Sequence, residues 1–221
     1  MKYQRVEFVL SAPSLQHCPP ADFPEVAFAG RSNVGKSSLL NTLLNRRGMA
    51  KVSRTPGRTQ LINYFLVNDQ CFFVDLPGYG YAAVPESVRR AWRPMIGTYL
   101  QQRTTLCGLV LLLDIRRQPS PEDHMMFAVL SERQLPALLV LTKADKLSRT
   151  QRFSRTQAIG KALGIDAGAL LPFSATTGLG REEVWEAIDA LLAIQTQQRA
   201  SSDEVNHAPP ASVAPPPRAP E

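Results

Sequence analysis

Gly30-Arg31-Ser32-Asn33-Val34-Gly35-Lys36-Ser37 is a complete Gly-x-x-x-x-Gly-Lys-Ser phosphate-binding loop. It follows a short apolar run, Val26-Ala27-Phe28-Ala29, and leads into Ser38-Leu39-Leu40-Asn41-Thr42-Leu43-Leu44, so the stretch reads as strand, loop and helix. The chemistry explains the residue types. A polyphosphate carries several negative charges, and a glycine-rich turn lets consecutive backbone N–H groups converge on it. Gly30 and Gly35 permit the backbone angles and the close approach, and Lys36 reaches the outer phosphates. The Ser37 hydroxyl is a magnesium ligand, and the helix N-terminus adds its positive dipole end. The loop places the chain among binders of nucleoside triphosphates.

Outward from the loop, Leu61 to Val67 and Cys71 to Val74 are strand-like runs on either side of Asn68-Asp69-Gln70, which has hairpin chemistry. Leu106 to Leu113 and Leu135 to Leu141 are near-continuous apolar runs of the kind seen in parallel strands covered on both faces. A helix is expected from His124 to Arg133. A last amphipathic helix carries Val184, Ile188, Leu191 and Leu192 and ends near Gln198. This order predicts an α/β, three-layer P-loop domain: a mostly parallel six-stranded sheet with one antiparallel strand, helices on both faces, and ligands beyond the strand C-termini. Residues 25–198 form the expected nucleotide-binding domain. Residues 1–24, with Pro13, Pro19, Pro20 and Pro24, read as an irregular lead-in, and the Pro- and Ala-rich residues 199–221 as a disordered tail.

The 221 residues suffice for one sizeable core. No apolar run of membrane-spanning length and no signal-peptide core occurs, so a cytoplasmic protein without membrane contact is expected. Cys18, Cys71 and Cys107 are too few and too scattered for a disulfide framework or a zinc site, and His17, His124 and His207 form no metal-binding or nucleophile–base pair. The net charge is +6, with basic residues gathered at Arg46-Arg47-Lys51-Arg54-Arg58, at Arg89-Arg90-Arg93 and from Lys143 to Arg155. Such clusters fit either a solvated face or contact with a polyanion.

Three further motifs fall at predicted strand ends. Asp75-Leu76-Pro77-Gly78 supplies a carboxylate that can hold magnesium through water and a glycine N–H for a terminal phosphate. Thr142-Lys143-Ala144-Asp145 decides the base. A carboxylate there accepts two hydrogen bonds from N1–H and the 2-amino group of guanine, whereas adenine offers no matching donors. Sites built on such bonding discriminate by roughly four orders of magnitude. Phe173-Ser174-Ala175 then forms a loop whose backbone can touch the guanine oxygen. Four motifs in this order identify a GTPase and speak against a P-loop kinase or ATPase.

Ser53-Arg54-Thr55-Pro56-Gly57-Arg58-Thr59-Gln60-Leu61-Ile62-Asn63 and Val74-Asp75-Leu76-Pro77-Gly78-Tyr79-Gly80-Tyr81-Ala82 resemble the two switch segments of the EngB family, also called YihA or YsxC, within the translation-factor-like GTPases. The resemblance runs from about Ser11 to the last helix. It implies a bacterial GTPase that binds GTP and GDP with magnesium and acts in maturation of the large ribosomal subunit, with effects on cell division. Ribosomal RNA is an implied partner, and a monomer is expected. It assigns Gly30 to Ser37 to the phosphates, Ser37 and Thr59 to magnesium, and Asp75 to Gly78 to the terminal phosphate. Gly57, Arg58, Gln60 and Leu61 flank Thr59 in the nucleotide-responsive loop. Thr142 to Asp145 and Phe173 to Ala175 serve the base, and Lys36, Thr59 and Gly78 act on the transferring phosphoryl group. After the fourth strand the family commonly reads Asp-x-Arg-His, where this chain has Asp114-Ile115-Arg116-Arg117.

Where many small GTPases place a water-orienting Gln after the Asp-x-x-Gly glycine, this chain has Tyr79, so slow unaided hydrolysis and stimulation by a partner are expected. Asn33 stands where related GTPases bind a potassium ion that substitutes for an arginine finger. The competing reading is a GTP-controlled interaction module for division proteins that has no contact with ribosomal RNA.

Overall fold

In a computed structural model the described residues are 5–46, 48–49, 61–79 and 86–206, with side chains omitted at 86–93 and 195–206. The chain lays down β1 (Val6–Ala12), β2 (Glu25–Gly30), α1 (Lys36–Leu43), β3 (Ile62–Val67), β4 (Cys71–Asp75) and α2 (Glu86–Gln102). It continues with β5 (Leu106–Asp114), α3 (Pro121–Glu132), β6 (Ala137–Thr142), α4 (Arg149–Leu163), β7 (Leu170–Pro172) and α5 (Arg181–Asn206).

The strands form one sheet in the order β1-β3-β4-β2-β5-β6-β7. β3 pairs antiparallel with both β1 and β4, and every other pairing is parallel, so β3 alone runs against the rest. The expected count of six strands is therefore one short. The seventh is β1, built from residues read as an irregular lead-in, and its prolines lie beyond the strand's end. Ser11 Oγ donates to Asn63 Oδ1 across the β1–β3 seam at 2.6 Å. The β3–β4 hairpin closes as its sequence suggests. Asn68 and Asp69 both have φ of 54°, the double left-handed turn that matches strand twist, and Gln70 N–H donates to Val67 O.

Alternation along the central strands creates the layers. Val26 and Phe28 of β2 face α1 and α5, where they meet Leu39, Leu40, Leu43, Val184, Trp185 and Ile188. Ala27 and Ala29 face the other way, toward Ile96, Tyr99 and Leu100 of α2 and Leu130 of α3. A third cluster packs Ile159 and Leu163 of α4 on Leu113, Leu139 and Leu141. Full burial of each such aliphatic side chain contributes roughly 1.5–3 kcal/mol. Caps set the helix ends: Ser120 with Asp123 and Ser148 with Gln151 form capping boxes, and α4 stops at Gly164 with φ of 70°. The last helix runs to Asn206 rather than ending near Gln198, so the tail boundary expected at 199 falls inside it.

At the sheet end remote from the phosphate loop, Glu25 is fully buried. Its carboxylate accepts from Tyr99 Oη at 2.7 Å, Arg103 Nε at 2.6 Å and Thr105 Oγ1 at 2.8 Å. Arg103 also donates to Pro19 O at 2.8 Å. Three donors satisfy a charge that would otherwise be costly to bury, and they tie α2 and the segment before β2 to one point.

Candidate functional site

The phosphate loop leaves β2 at Gly30 and enters α1 at Lys36. Its shape depends on two left-handed residues, Asn33 with φ of 63° and Gly35 with φ of 113°. A Cβ at Gly30 would lie 2.9 Å from Leu112 O and from Val34 Cγ1, so only glycine lets the loop sit this close to β5. Val34 itself is core, as are Leu76 and Phe173, so these three can serve a nucleotide only through their backbone.

Asp75 ends β4, and the Lys36 ammonium pairs with its Oδ1. Both side chains are nearly buried, 11% and 9% exposed, so the pair is well shielded from solvent. Beyond it, Leu76 N–H donates to Phe28 O at 3.0 Å. Tyr79 then bridges to the phosphate loop, accepting from Ser32 N–H at 2.8 Å and donating to Gly30 O at 3.2 Å. A Cβ at Gly78 would come within 3.3 Å of the Ser32 backbone, so this glycine keeps the Asp75–Gly78 turn against the loop. The Lys36 ammonium and the Asp75 carboxylate thus meet at the start of α1, whose second residue is Ser37.

Tyr79 does not face that site. Its ring is 2% exposed, and its phenol donates to Asp123 Oδ1 at 2.9 Å. The other Asp123 oxygen accepts from Ser120 N–H at 2.8 Å. Burial, and then the Asp123 charge, pushes the Tyr79 phenol far above its ordinary value, so it stays a neutral donor. The residue at the usual water-orienting position is committed to the core.

Thr142 closes β6. The guanine role assigned to it is not what its side chain does: the hydroxyl is buried and lies 2.6 Å from Val34 O and 3.1 Å from Leu113 O, binding the base motif to the phosphate loop. Lys143, in left-handed backbone with φ of 62°, sends its ammonium to Asn33 O at 2.8 Å and Asp114 Oδ2 at 2.9 Å. Asp114 also accepts from Arg116 Nε at 2.9 Å and Nη2 at 2.8 Å. Burial would raise the Asp114 carboxyl, but bonds from Arg116 and Lys143 outweigh it and hold it well below the usual carboxylate range. Arg117 is exposed; it lines a cavity of about 200 Å³ with Arg31, Asn33, Asp123 and Lys143.

Asp145 is set by its neighbours. Ala144 N–H donates to Phe173 O at 3.0 Å, joining the two base loops, and the buried Ser174 donates through Oγ to Asp145 Oδ1 at 2.8 Å. Ser174 Oγ in turn accepts from the N–H groups of Thr176 and Thr177. The Ser174 bond lowers the Asp145 carboxyl below its ordinary value. Asp145 is therefore a preformed carboxylate acceptor, and Ala175 is exposed beside it. Of the remaining assigned residues, Leu61 is described and half-buried, while Gly57, Arg58, Thr59 and Gln60 lie outside the described residues. Reading the sequence singled out neither Asp123 nor the Asp114–Lys143–Asn33 link. Asp123 had one local signal, the Ser-Pro-Glu-Asp cap.

Fold and site together define a P-loop GTPase: a phosphate loop, a carboxylate turn facing it, and the Asp145 carboxylate held as an acceptor by Ser174, each beyond the C-terminal end of a strand. Residues 25–143 match the family model described as 50S ribosome-binding GTPase. The chain is 48% identical to the GTP-binding protein EngB of Geobacter metallireducens over 204 residues, covering 92% of this chain and 100% of that one. It is 54% identical to EngB of Syntrophus aciditrophicus over 188 residues, 85% and 95% of the two chains. The chain belongs to the EngB family of GTP-binding proteins. A crystal structure of an EngB protein, 21% identical, superposes with a TM-score of 0.62 over 76% of this chain and 98% of that one. Era of Aquifex aeolicus gives 0.60 at 21% identity over 76% and 56%; both likenesses concern the fold.

Proposed function

We propose that this GTPase is a switch in assembly of the large ribosomal subunit, with ribosomal RNA among its contacts and cell division depending on it through ribosome supply. The observation that carries the reading is the match of residues 25–143 to a family described by its 50S ribosome binding. The +6 charge suits a polyanionic partner, and no described helix is long and apolar enough to cross a membrane. The protein acts in the cytoplasm, as a monomer.

Magnesium fits the donors present. Ser37 and Asp75 offer the hard oxygens it prefers, with substrate phosphates and water completing the shell, and Thr59 is the further ligand we assign from the switch loop. Bound magnesium would neutralise charge developing on the phosphates. For the chain's own part, Lys36 neutralises the outer phosphates, Gly78 presents its N–H to the terminal one, and Asp145 holds guanine. Because Tyr79 is turned into the core, no side chain at that position orients water, and hydrolysis awaits a partner. Asn33, whose side chain is exposed on the cradle, is the residue we assign to potassium; equal hydrolysis rates in sodium and potassium buffers would exclude it.

The deciding experiment is cosedimentation with large subunits and their precursors across a salt series, with a nonhydrolysable GTP analogue and separately with GDP. Analogue-selective binding that weakens steeply with salt is the expected result. Absence of binding in either state would overturn the ribosomal reading.

A further inference from the structure

Helix α4 is held by one face, on which Thr156, Ile159, Gly160 and Leu163 are buried. Along the flank of that face runs a row at i, i+4 spacing, Arg149, Phe153, Gln157 and Lys161, and all four are exposed. Phe153 is 68% exposed, the highest value among the large apolar side chains exposed in the described residues. A single exposed phenylalanine is ordinary; its setting is not. From Lys143 to Lys161 there are six cations and one carboxylate, and none of the residues between Asp145 and Asp166 is acidic. The row spans about 18 Å, with a cation at each end and an aromatic ring and an amide between.

We propose that this row is a binding surface for unpaired RNA, with phosphates at Arg149 and Lys161, a base stacked on Phe153, and Gln157 bonded to a neighbouring base edge. The proposal rests on the ribosomal reading and names its contact. Charge selects a polyanion. The phenyl ring selects a partner with free π-faces, which unstacked bases have and acidic peptides lack. Duplex RNA is disfavoured because its base faces are covered and its major groove is too narrow for a helix. The surface is also wired to the nucleotide site. Arg155 donates to the carbonyls of Ile115 and Arg116, Arg116 grips Asp114, and Lys143 links Asp114 to Asn33 O in the phosphate loop.

Fluorescence anisotropy with a labelled oligouridylate of about 12 nucleotides, a length within known single-strand site sizes, tests this on the full chain. Phe153→Ala should weaken binding roughly tenfold or more while leaving the salt slope unchanged. Arg149→Gln and Lys161→Gln should each reduce the salt slope by about 1. Retained affinity for a fluorescent guanine nucleotide checks that each variant is folded. If the unaltered protein binds RNA and Phe153→Ala binds equally well, the α4 surface is wrong and the ribosomal reading stands. If a duplex of equal charge or polyglutamate competes as well as the single strand, the stacking surface is likewise excluded. If the unaltered protein binds neither the oligonucleotide nor ribosomal particles, both readings fall.

Discussion

Tyr79→Phe removes one oxygen atom and isolates the bond that ties the Asp-x-x-Gly segment to α3. The phenol is 2.9 Å from Asp123 Oδ1, and Asp123 is 4% exposed, so water does not readily replace the lost donor. Asp123 keeps its bond from Ser120 N–H, so the α3 cap survives and the loss is confined to one charge-assisted contact. Hydrogen bonds to charged groups contribute about 1.5–3 kcal/mol, and about 2 kcal/mol is expected here. For a domain of this size that lowers the melting temperature by about 4–8 °C. Thermal unfolding followed by circular dichroism measures it, and a double-mutant cycle with Asp123→Asn should return most of the loss as coupling. A Tyr79→Phe protein melting within about 1 °C of the parent would refute the premise that this buried bond is intact and unreplaced.

Asp145→Asn should weaken GTP binding at least about a hundredfold, because an amide cannot accept both guanine donors, while xanthosine triphosphate gains; equal affinity of parent and variant for GTP by calorimetry would remove Asp145 from the base site. A carboxyl whose value is lowered in the folded protein supports binding above that value and loses it as pH falls through it. Guanine nucleotide affinity should therefore hold from neutral pH down to about pH 5 and fail in stronger acid, and Ser174→Ala should move the failure to higher pH. A decline of the parent beginning near pH 7 would contradict this. Gly30→Ala forces a methyl to within 2.9 Å of Leu112 O, and should reduce nucleotide affinity by about tenfold or more as the loop shifts; fluorescent-nucleotide titration checks it.

Local chemistry was legible where one short stretch contains both cause and effect. The phosphate loop, the Asn68-Asp69 turn and the apolar runs of β5 and β6 all appear where residue types alone place them. β1 was obscured because the prolines after it dominate the composition, and its strand character depends on pairing with β3, from Val6↔Val67 to Ala12↔Ile62, a distant partner that local propensity does not reveal. α4 is masked by its charges, since only a narrow face is buried, although Ser148, Gln151 and Gly164 mark its ends. The destinations of the Tyr79 and Thr142 hydroxyls lie 44 and 108 residues away in sequence, and only the assembled sheet brings those partners together.

The Glu25 cluster fastens α2, as a rod, at its C-terminal end. The rod is 17 residues, about 25 Å, and its near end begins just after the Asp-x-x-Gly segment. Tyr99 and Arg103 grip the far end, and Pro94 removes a backbone hydrogen bond partway along. A load at the near end is expected to bend the helix at Pro94, where a backbone hydrogen bond is missing. Pinned to the sheet through Glu25 and jointed at Pro94, α2 has the form of a lever whose fulcrum lies away from the nucleotide end.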